Sequence, residues 1–496
     1  MALVQMLDEV KAFLVREHGQ YIDGRAVAGR GGERIEVVNP ATRAVVGSVA
    51  QATDDEIEAA IASSDRAFRG EWARVTPADR ERILLRFADL IDAHGEEIAQ
   101  IETAQSGKLI GVSRMIEVAW SARWLRYYAG WATKIAGETL APSFPSMNGE
   151  RYTSFTLREP LGVVLGIIPW NFPVMIPVWK FGAALATGNT VLIKSSEFTP
   201  LTMLRIAELG TEAGLPPGTL NVINGAGKVG GKVIRDPRVA KVSFTGSVPT
   251  GRIIGEEAVN ANFTRFTLEL GGKNAAAFLP DTPVEKILDG VVEAGFLHSG
   301  QICASAERFF VHRSQFDEVV GKLKARLDSF EPSDPMDDAG MIGPVCNEPQ
   351  FRKCLDAFAR AKAEGDEIVA GGGAYARDGF YVKPTLVVPK SLQSSVYRNE
   401  IFGPVGAFVP FDDEDELIAM MNDTPFGLTA SLWTNDLSKA LRHVPRIAAG
   451  TVWVNMHTLV DPAVPFGGAK GSGVGREYGS AFIDAYTEPK SVTIRF

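Results

Sequence analysis

Cysteine is scarce in this chain: three residues among 496, at Cys303, Cys346 and Cys354. An odd count with no CxxC pair excludes a disulfide framework and points to a reducing, cytoplasmic compartment. A surplus of positive charge is also missing. Lys plus Arg total 51 against 60 Asp plus Glu, a formal charge of −9 with no basic run, which argues against nucleic acid or an anionic membrane as partner. The histidines, His18, His94, His298, His312, His443 and His457, show no HxxxH or HxH spacing, so no metal centre is expected. The opening MALVQMLDEVKAFLVREHG lacks the basic leader and small-residue cleavage site of a secretory signal. Its Leu3, Met6, Leu7, Val10, Phe13 and Leu14 recur at helical spacing instead. A long uncharged stretch does occur, from Gly162 to Gly188, but Pro169, Pro173, Pro177 and Lys180 interrupt it. Proline removes a helical hydrogen bond and clashes with the preceding turn, so a strand, a turn and a buried helix explain it better than a bilayer span.

What is present is an ordinary globular composition, 45% hydrophobic and 22% charged, in a chain too long for a single core. Thr76-Pro77 reads as a helix start, and the apolar positions from Ile83 to Ile101 predict one long helix over 76–105. Beyond Pro160 the runs GVVLGII, TVLIK, TLNVI and KVSF read as buried strands, with a helix between Thr199-Pro200 and Gly214. Uniformly apolar strands alternating with helices mark a parallel sheet covered on both faces. From Gly271 onward a second alternating set follows, including AAAFL, RFFVH, VGAFVPF, EDELIAMMN, LTASLWT and TVWVN. RYTSFTLRE at 151–159 and the tail KSVTIRF read as edge strands, which proteins usually pair or cover.

Chemistry is suggested by FLHSGQICASAER at 296–308, which holds Cys303. A free cysteine is most often an inert core residue, so its role turns on its company. That company is PWNFP (169–173), IKSSE (193–197), FTGSVPTG (244–251), LELGGKN (268–274) and GQICA (300–304), extended by NEIFGPV (399–405) and PFGGAKGSGVGRE (465–477). In this order the set resembles the aldehyde dehydrogenase superfamily, over essentially the whole chain from about residue 20. Within it, ERILLRFADL (81–90) and WVNMHTLVD (453–461) resemble the bacterial phenylacetaldehyde dehydrogenases.

The resemblance implies an α/β fold of two doubly wound, Rossmann-like domains plus a small β oligomerisation arm. The NAD-binding domain would span 1–139 and 160–269, the catalytic domain 270–481, and the arm 140–159 and 482–496. It implies a homo-oligomer, with a tetramer built as a dimer of dimers favoured. Cys303 would be the nucleophile, Asn171 and the Cys303 N–H the oxyanion hole, and Glu269 the general base. Glu269 also points to a free acid as product, because relatives that hand the acyl group to coenzyme A tend to lack that base. Lys194 and Glu197 match the pair on the adenosine ribose, where a carboxylate accepts from both hydroxyls and repels a 2′-phosphate, favouring NAD. Ser195 and Ser196 replace the proline-containing version common in the family. Trp170, Gly246, Ser247, Glu400 and Phe402 complete the cofactor contacts.

Phe172, Met175, Trp179, Leu297, Ile302, Leu459 and Phe466 match the lining of the family's aldehyde tunnel. All are apolar, which suits an aromatic or aliphatic aldehyde rather than a charged one. His457 is the polar exception in that region and receives no catalytic task. Only ~3% of a cysteine of ordinary pKa is thiolate at pH 7, so a local pKa near 7 would raise the reactive fraction about fifteenfold. A Cys303/His298 hydrolase dyad is the rival enzyme reading, and it leaves the cofactor motifs unexplained.

Overall fold

Apolar five-residue runs dominate the interior of the computed structural model, which describes residues 3–30 and 32–496. Val163–Ile167 and Thr190–Lys194 are buried at every position, as strands covered on both faces must be. With Leu220–Ile223, Val239–Gly246 and Arg265–Leu270 they form a five-stranded parallel core. Antiparallel Gln20–Ile22 and Arg25–Val27 extend it at one edge, and antiparallel Gly473–Val474 at the other. That last strand comes from the 270–481 segment, so the C-terminal half of the chain reaches back to pair with Leu268 and Glu269.

A second sheet runs in the order Glu367–Ala370, Thr385–Val388, Val405–Phe411, Ala306–His312, Asn274–Phe278, Thr429–Trp433, Thr451–Val454. All its pairings are parallel except the first. Thr139–Leu140, Tyr152–Pro160 and Thr487–Arg495 make a separate antiparallel sheet, with Tyr152 opposite Arg495. Its Leu140, Leu157 and Ile494 stay exposed, as does Phe496 just beyond its last strand.

Local signals explain the helices. Thr53 and Glu56 close a reciprocal capping box on Asp54–Arg69, and Gly214, left-handed at φ 104°, ends Leu201–Ala213. The single helix expected over 76–105 is in fact two, Pro77–Ala93 and Gly95–Ser106. His94 leaves helical geometry at φ −98°, ψ 20°, and its Nδ1 lies 2.8 Å from Glu97 Oε2. Glycine at the next position is about 1 kcal/mol worse than alanine in a helix, which the apolar periodicity conceals. Among the described residues no helix is long and apolar enough to cross a membrane.

Phe87 on Pro77–Ala93 is fully buried and stacks on Phe181, 5.5 Å between ring centroids. Phe87→Ala is expected to destabilise the fold by about 3–5 kcal/mol, read as a lower urea midpoint at unchanged slope.

Candidate active site

Where the strand order reverses, an open α/β sheet leaves a crevice beyond its carboxyl ends, and ligands bind there. In the first sheet the reversal falls at Val163–Ile167, flanked by Thr190–Lys194 on one side and Val239–Gly246 on the other. Trp170 and Asn171 follow the first of these strands, Lys194 ends the second, and Gly246 ends the third with Ser247 next. Glu269 is the penultimate residue of Arg265–Leu270. The second sheet meets this crevice with the opposite strand ends. Cys303 precedes Ala306–His312, while Glu400 and Phe402 precede Val405–Phe411.

Cys303 lies in the walls of two cavities. The polar one, about 170 Å³, also takes Trp170, Asn171, Gly246, Ser247, Glu269, Glu400 and Phe402 into its lining. The apolar one, about 310 Å³, takes Phe172, Met175, Trp179, Leu297, Ile302, Leu459 and Phe466. The structure therefore gathers all but two of the residues singled out in the sequence around one sulfur. The two outside both linings are Lys194 and Glu197, whose charged groups lie 3.6 Å apart. They remain beside the crevice, since Ile168 N donates to the Lys194 carbonyl at 3.2 Å.

Each wall group is held by its neighbours. Asn171 Nδ2 donates to the Gln301 carbonyl at 2.8 Å, which ties the carboxamide to the cysteine turn. Ser247 caps Val248–Asn262, accepting from Thr250 N at 3.4 Å, and turns the N-terminal amides of that helix toward the crevice mouth, the usual seat of a phosphate. Phe402 adopts φ 64° in a loop gripped from two sides. Ile401 N and Phe402 N donate to the Glu307 carboxylate at 2.9 and 2.7 Å, and Gln350 Nε2 donates to both their carbonyls at 2.8 Å. Trp170 meets the Phe402 ring edge to face at 5.4 Å. Glu400 Oε1 accepts from Gly272 N at 3.0 Å. Gln350 and Lys353 also line the polar cavity; they sit on a distant helix with no motif around them to announce it.

Burial dominates the electrostatics. It pushes the Cys303 thiol up to about 12, helped by the carboxylates of Glu269 and Glu400. The protein's own groups therefore oppose the thiolate that a pKa near 7 would supply, and the sequence does not show that two carboxylates lie near the sulfur. Glu269 is raised well above the usual carboxylate range by burial and then by Glu477, with Lys180 and Arg476 pulling the other way. Both its carboxylate oxygens are buried without a partner among the described residues. Glu400 is raised to about 7 by burial and by Glu307. Burial and Lys108 hold His298 well below the ordinary histidine value. Its Nε2 has no partner among the described residues, the Cys303 sulfur included, so the hydrolase dyad does not form.

One sulfur thus sits between a crevice of the dinucleotide-binding kind and an apolar pocket on a two-sheet α/β scaffold, the architecture of an α/β oxidoreductase. The chain belongs to the aldehyde dehydrogenase family, whose model matches residues 27–492. It is 43% identical to a phenylacetaldehyde dehydrogenase of Pseudomonas fluorescens, over 97% of this chain and 96% of that one. It is 41% identical to a betaine aldehyde dehydrogenase of Cereibacter sphaeroides, over 96% of each. Its fold superposes on the NAD⁺ complex of an aldehyde dehydrogenase from Bacillus cereus with a TM-score of 0.96, at 38% identity and 99% coverage of both.

A carboxyl group that is harder to ionise in the fold than in the unfolded chain binds more protons when folded, so it lowers stability as pH rises above its unfolded value of 4.5. Glu269→Gln removes that penalty. The variant is expected to melt at a higher temperature than wild type at neutral pH, with the difference vanishing near pH 4, in thermal scans across that range.

Proposed function

We propose that the protein oxidises an apolar aldehyde, phenylacetaldehyde before others, to the free carboxylic acid with NAD⁺ as the oxidant. The observation that carries the reading is the position of Cys303 in the walls of both cavities. The polar crevice fits a dinucleotide: a helix N-terminus for the pyrophosphate, Lys194 and Glu197 for the adenosine ribose, Glu400 for the nicotinamide ribose, and Phe402 and Trp170 beside the ring. A Cβ on Gly271 would collide with the Glu400 carboxylate, so the bare backbone there keeps Glu400 in place. Bound in that crevice, NAD⁺ supplies the hydride acceptor and a cationic ring that favours a neighbouring thiolate.

The remaining steps belong to the chain. Cys303 Sγ adds to the aldehyde carbon, and Asn171 Nδ2 with the Cys303 N–H holds the oxyanion, each such donor accounting for about 10²–10³ in rate. Once the adduct is a thioester, Glu269 takes a proton from water, and the resulting hydroxide releases the acid and restores the thiol. The raised Glu269 pKa makes it a stronger base than a surface carboxylate, and its place in the wall of the polar cavity sets it on the crevice side of Cys303. The apolar cavity, walled by Phe172, Trp179, Leu297 and Phe466, favours a phenyl ring. The betaine aldehyde relatives define the competing substrate, and Glu293 is the carboxylate in the lining that a quaternary ammonium would seek. It already accepts from His457 N at 2.8 Å. The enzyme acts in the cytoplasm as a homotetramer, with the exposed face of the Tyr152–Pro160 sheet between subunits.

With phenylacetaldehyde, a C2–C8 aliphatic series and betaine aldehyde as substrates, NADH absorbance should give the highest kcat/KM for phenylacetaldehyde, and a preference for betaine aldehyde would overturn that choice. Cys303→Ser should lose at least about 10³-fold in kcat, and a variant retaining several per cent of the rate would remove the nucleophile assignment. Glu269→Gln should release a first burst of NADH and then turn over slowly, seen by stopped flow; an undiminished steady rate would remove the base.

A further inference from the structure

The turn that carries Cys303 is gripped at three successive carbonyl oxygens. Asn274 Nδ2 donates to the Cys303 carbonyl at 2.7 Å and to the Ser305 carbonyl at 2.9 Å. Its Oδ1 accepts from Thr429 N at 3.1 Å, so the carboxamide is fully engaged. Between those two, the Ala304 carbonyl accepts from Thr429 Oγ1 at 3.0 Å and lies 2.8 Å from His457 Nε2. A carbonyl only accepts, so the His457 proton sits on Nε2, and Nδ1 accepts from Ser431 Oγ at 2.7 Å. Ser431 Oγ in turn accepts from Trp433 Nε1 at 3.0 Å. His457 is fully buried beside Trp453, with ring centroids 4.9 Å apart. Burial lowers its imidazole to about 4, so it stays a neutral donor.

A peptide group is planar, so holding its carbonyl also aims its N–H. The plane that follows Cys303 carries the Ala304 N–H, which is directed at the Cys303 sulfur. Asn274 holds the carbonyl of that plane, and His457 with Thr429 holds the carbonyl of the next. A Cβ on Gly272 would collide with the Asn274 carboxamide, so the second glycine of LELGGKN clears the space this grip needs.

We propose that Asn274 and His457 are positioning residues for the nucleophile: they lock the two peptide planes after Cys303, keeping the Ala304 N–H against the sulfur and the sulfur between the two cavities. This rests on the reading of Cys303 as nucleophile. Neither side chain touches the reacting atoms, and both act through backbone.

The test compares His457→Leu, which removes the donor at similar bulk, with His457→Gln, which keeps an N–H at similar reach. Two rates are read: kcat for NADH formation, and alkylation of Cys303 by iodoacetamide in the absence of substrate, the other two cysteines being buried. His457→Leu is expected to lower kcat by about 10²-fold, the usual consequence of misplacing a reacting atom by an ångström, with the KM for NAD⁺ unmoved. Alkylation should slow about tenfold, the scale of one lost hydrogen bond to an anion, and His457→Gln should recover most of both. A Leu variant alkylated at the wild-type rate overturns the proposal, as does a loss that Gln leaves unrepaired, which marks a packing role. If His457→Leu does not fold, Thr429→Val, which removes the second donor to the same carbonyl, carries the same expectation of slower alkylation; an unchanged rate sinks the idea. Alkylation reads the sulfur whatever the substrate is, so failure of the aldehyde reading and failure of the grip are separable.

Discussion

Only Gly271, Gly272 and Lys273 separate the end of Arg265–Leu270 in the first sheet from the start of Asn274–Phe278 in the second. This close passage forces the carboxyl ends of one parallel sheet to face the amino ends of the other, and the crevice lies between them. It also places Glu269 and Asn274 five residues apart on opposite sides of the gap, one in the wall of the polar cavity and the other gripping the cysteine turn. The glycines are needed because side chains there would strike Glu400 and Asn274, so the link stays narrow and the site stays intact.

Depth is the second consequence. Three groups that could carry negative charge, Cys303, Glu269 and Glu400, line one crevice, and each is pushed toward its neutral form by loss of water and by a neighbouring carboxylate, Glu269 for Cys303, Glu477 for Glu269 and Glu307 for Glu400. A positive charge brought beside such a cluster favours its ionised form. A cationic cofactor ring is therefore complementary to the whole site rather than to a single contact, and another anion is not.

The apolar side is anchored by buried charge of its own. Lys108, Glu102 and Glu117 are fully excluded from water and paired with one another. Glu117 spends its other oxygen on the start of the helix Met175–Ala186, accepting from Met175 N at 2.7 Å. A carboxylate at a helix N-terminus is favourable, and here it steadies the helix whose Met175 and Trp179 wall the apolar cavity. Lys108 also lies 4.3 Å from the centre of the Phe172 ring, and its charge helps keep the neighbouring His298 neutral.

Thr190–Lys194, Val405–Phe411 and Glu414–Asn422 were legible residue for residue, because strand burial, β-branching and caps are local properties. The aldehyde dehydrogenase motifs, each short and each weak alone, named the family and the residues that the structure collects around Cys303. The break at His94, the return of Gly473–Val474 to the first sheet, and Gln350 and Lys353 in the crevice wall were not legible, since pairings across hundreds of residues leave no periodicity. Asn274 stood in a quoted motif and His457 was noticed as polar, yet neither could be given a task. By itself, then, the sequence determined the element types and the family, and it named the residues that line the two cavities. Tertiary structure alone decided the ionisation of the crevice groups and the grip on the Cys303 turn, because both arise from burial and hydrogen bonding between segments that meet only once the chain has folded.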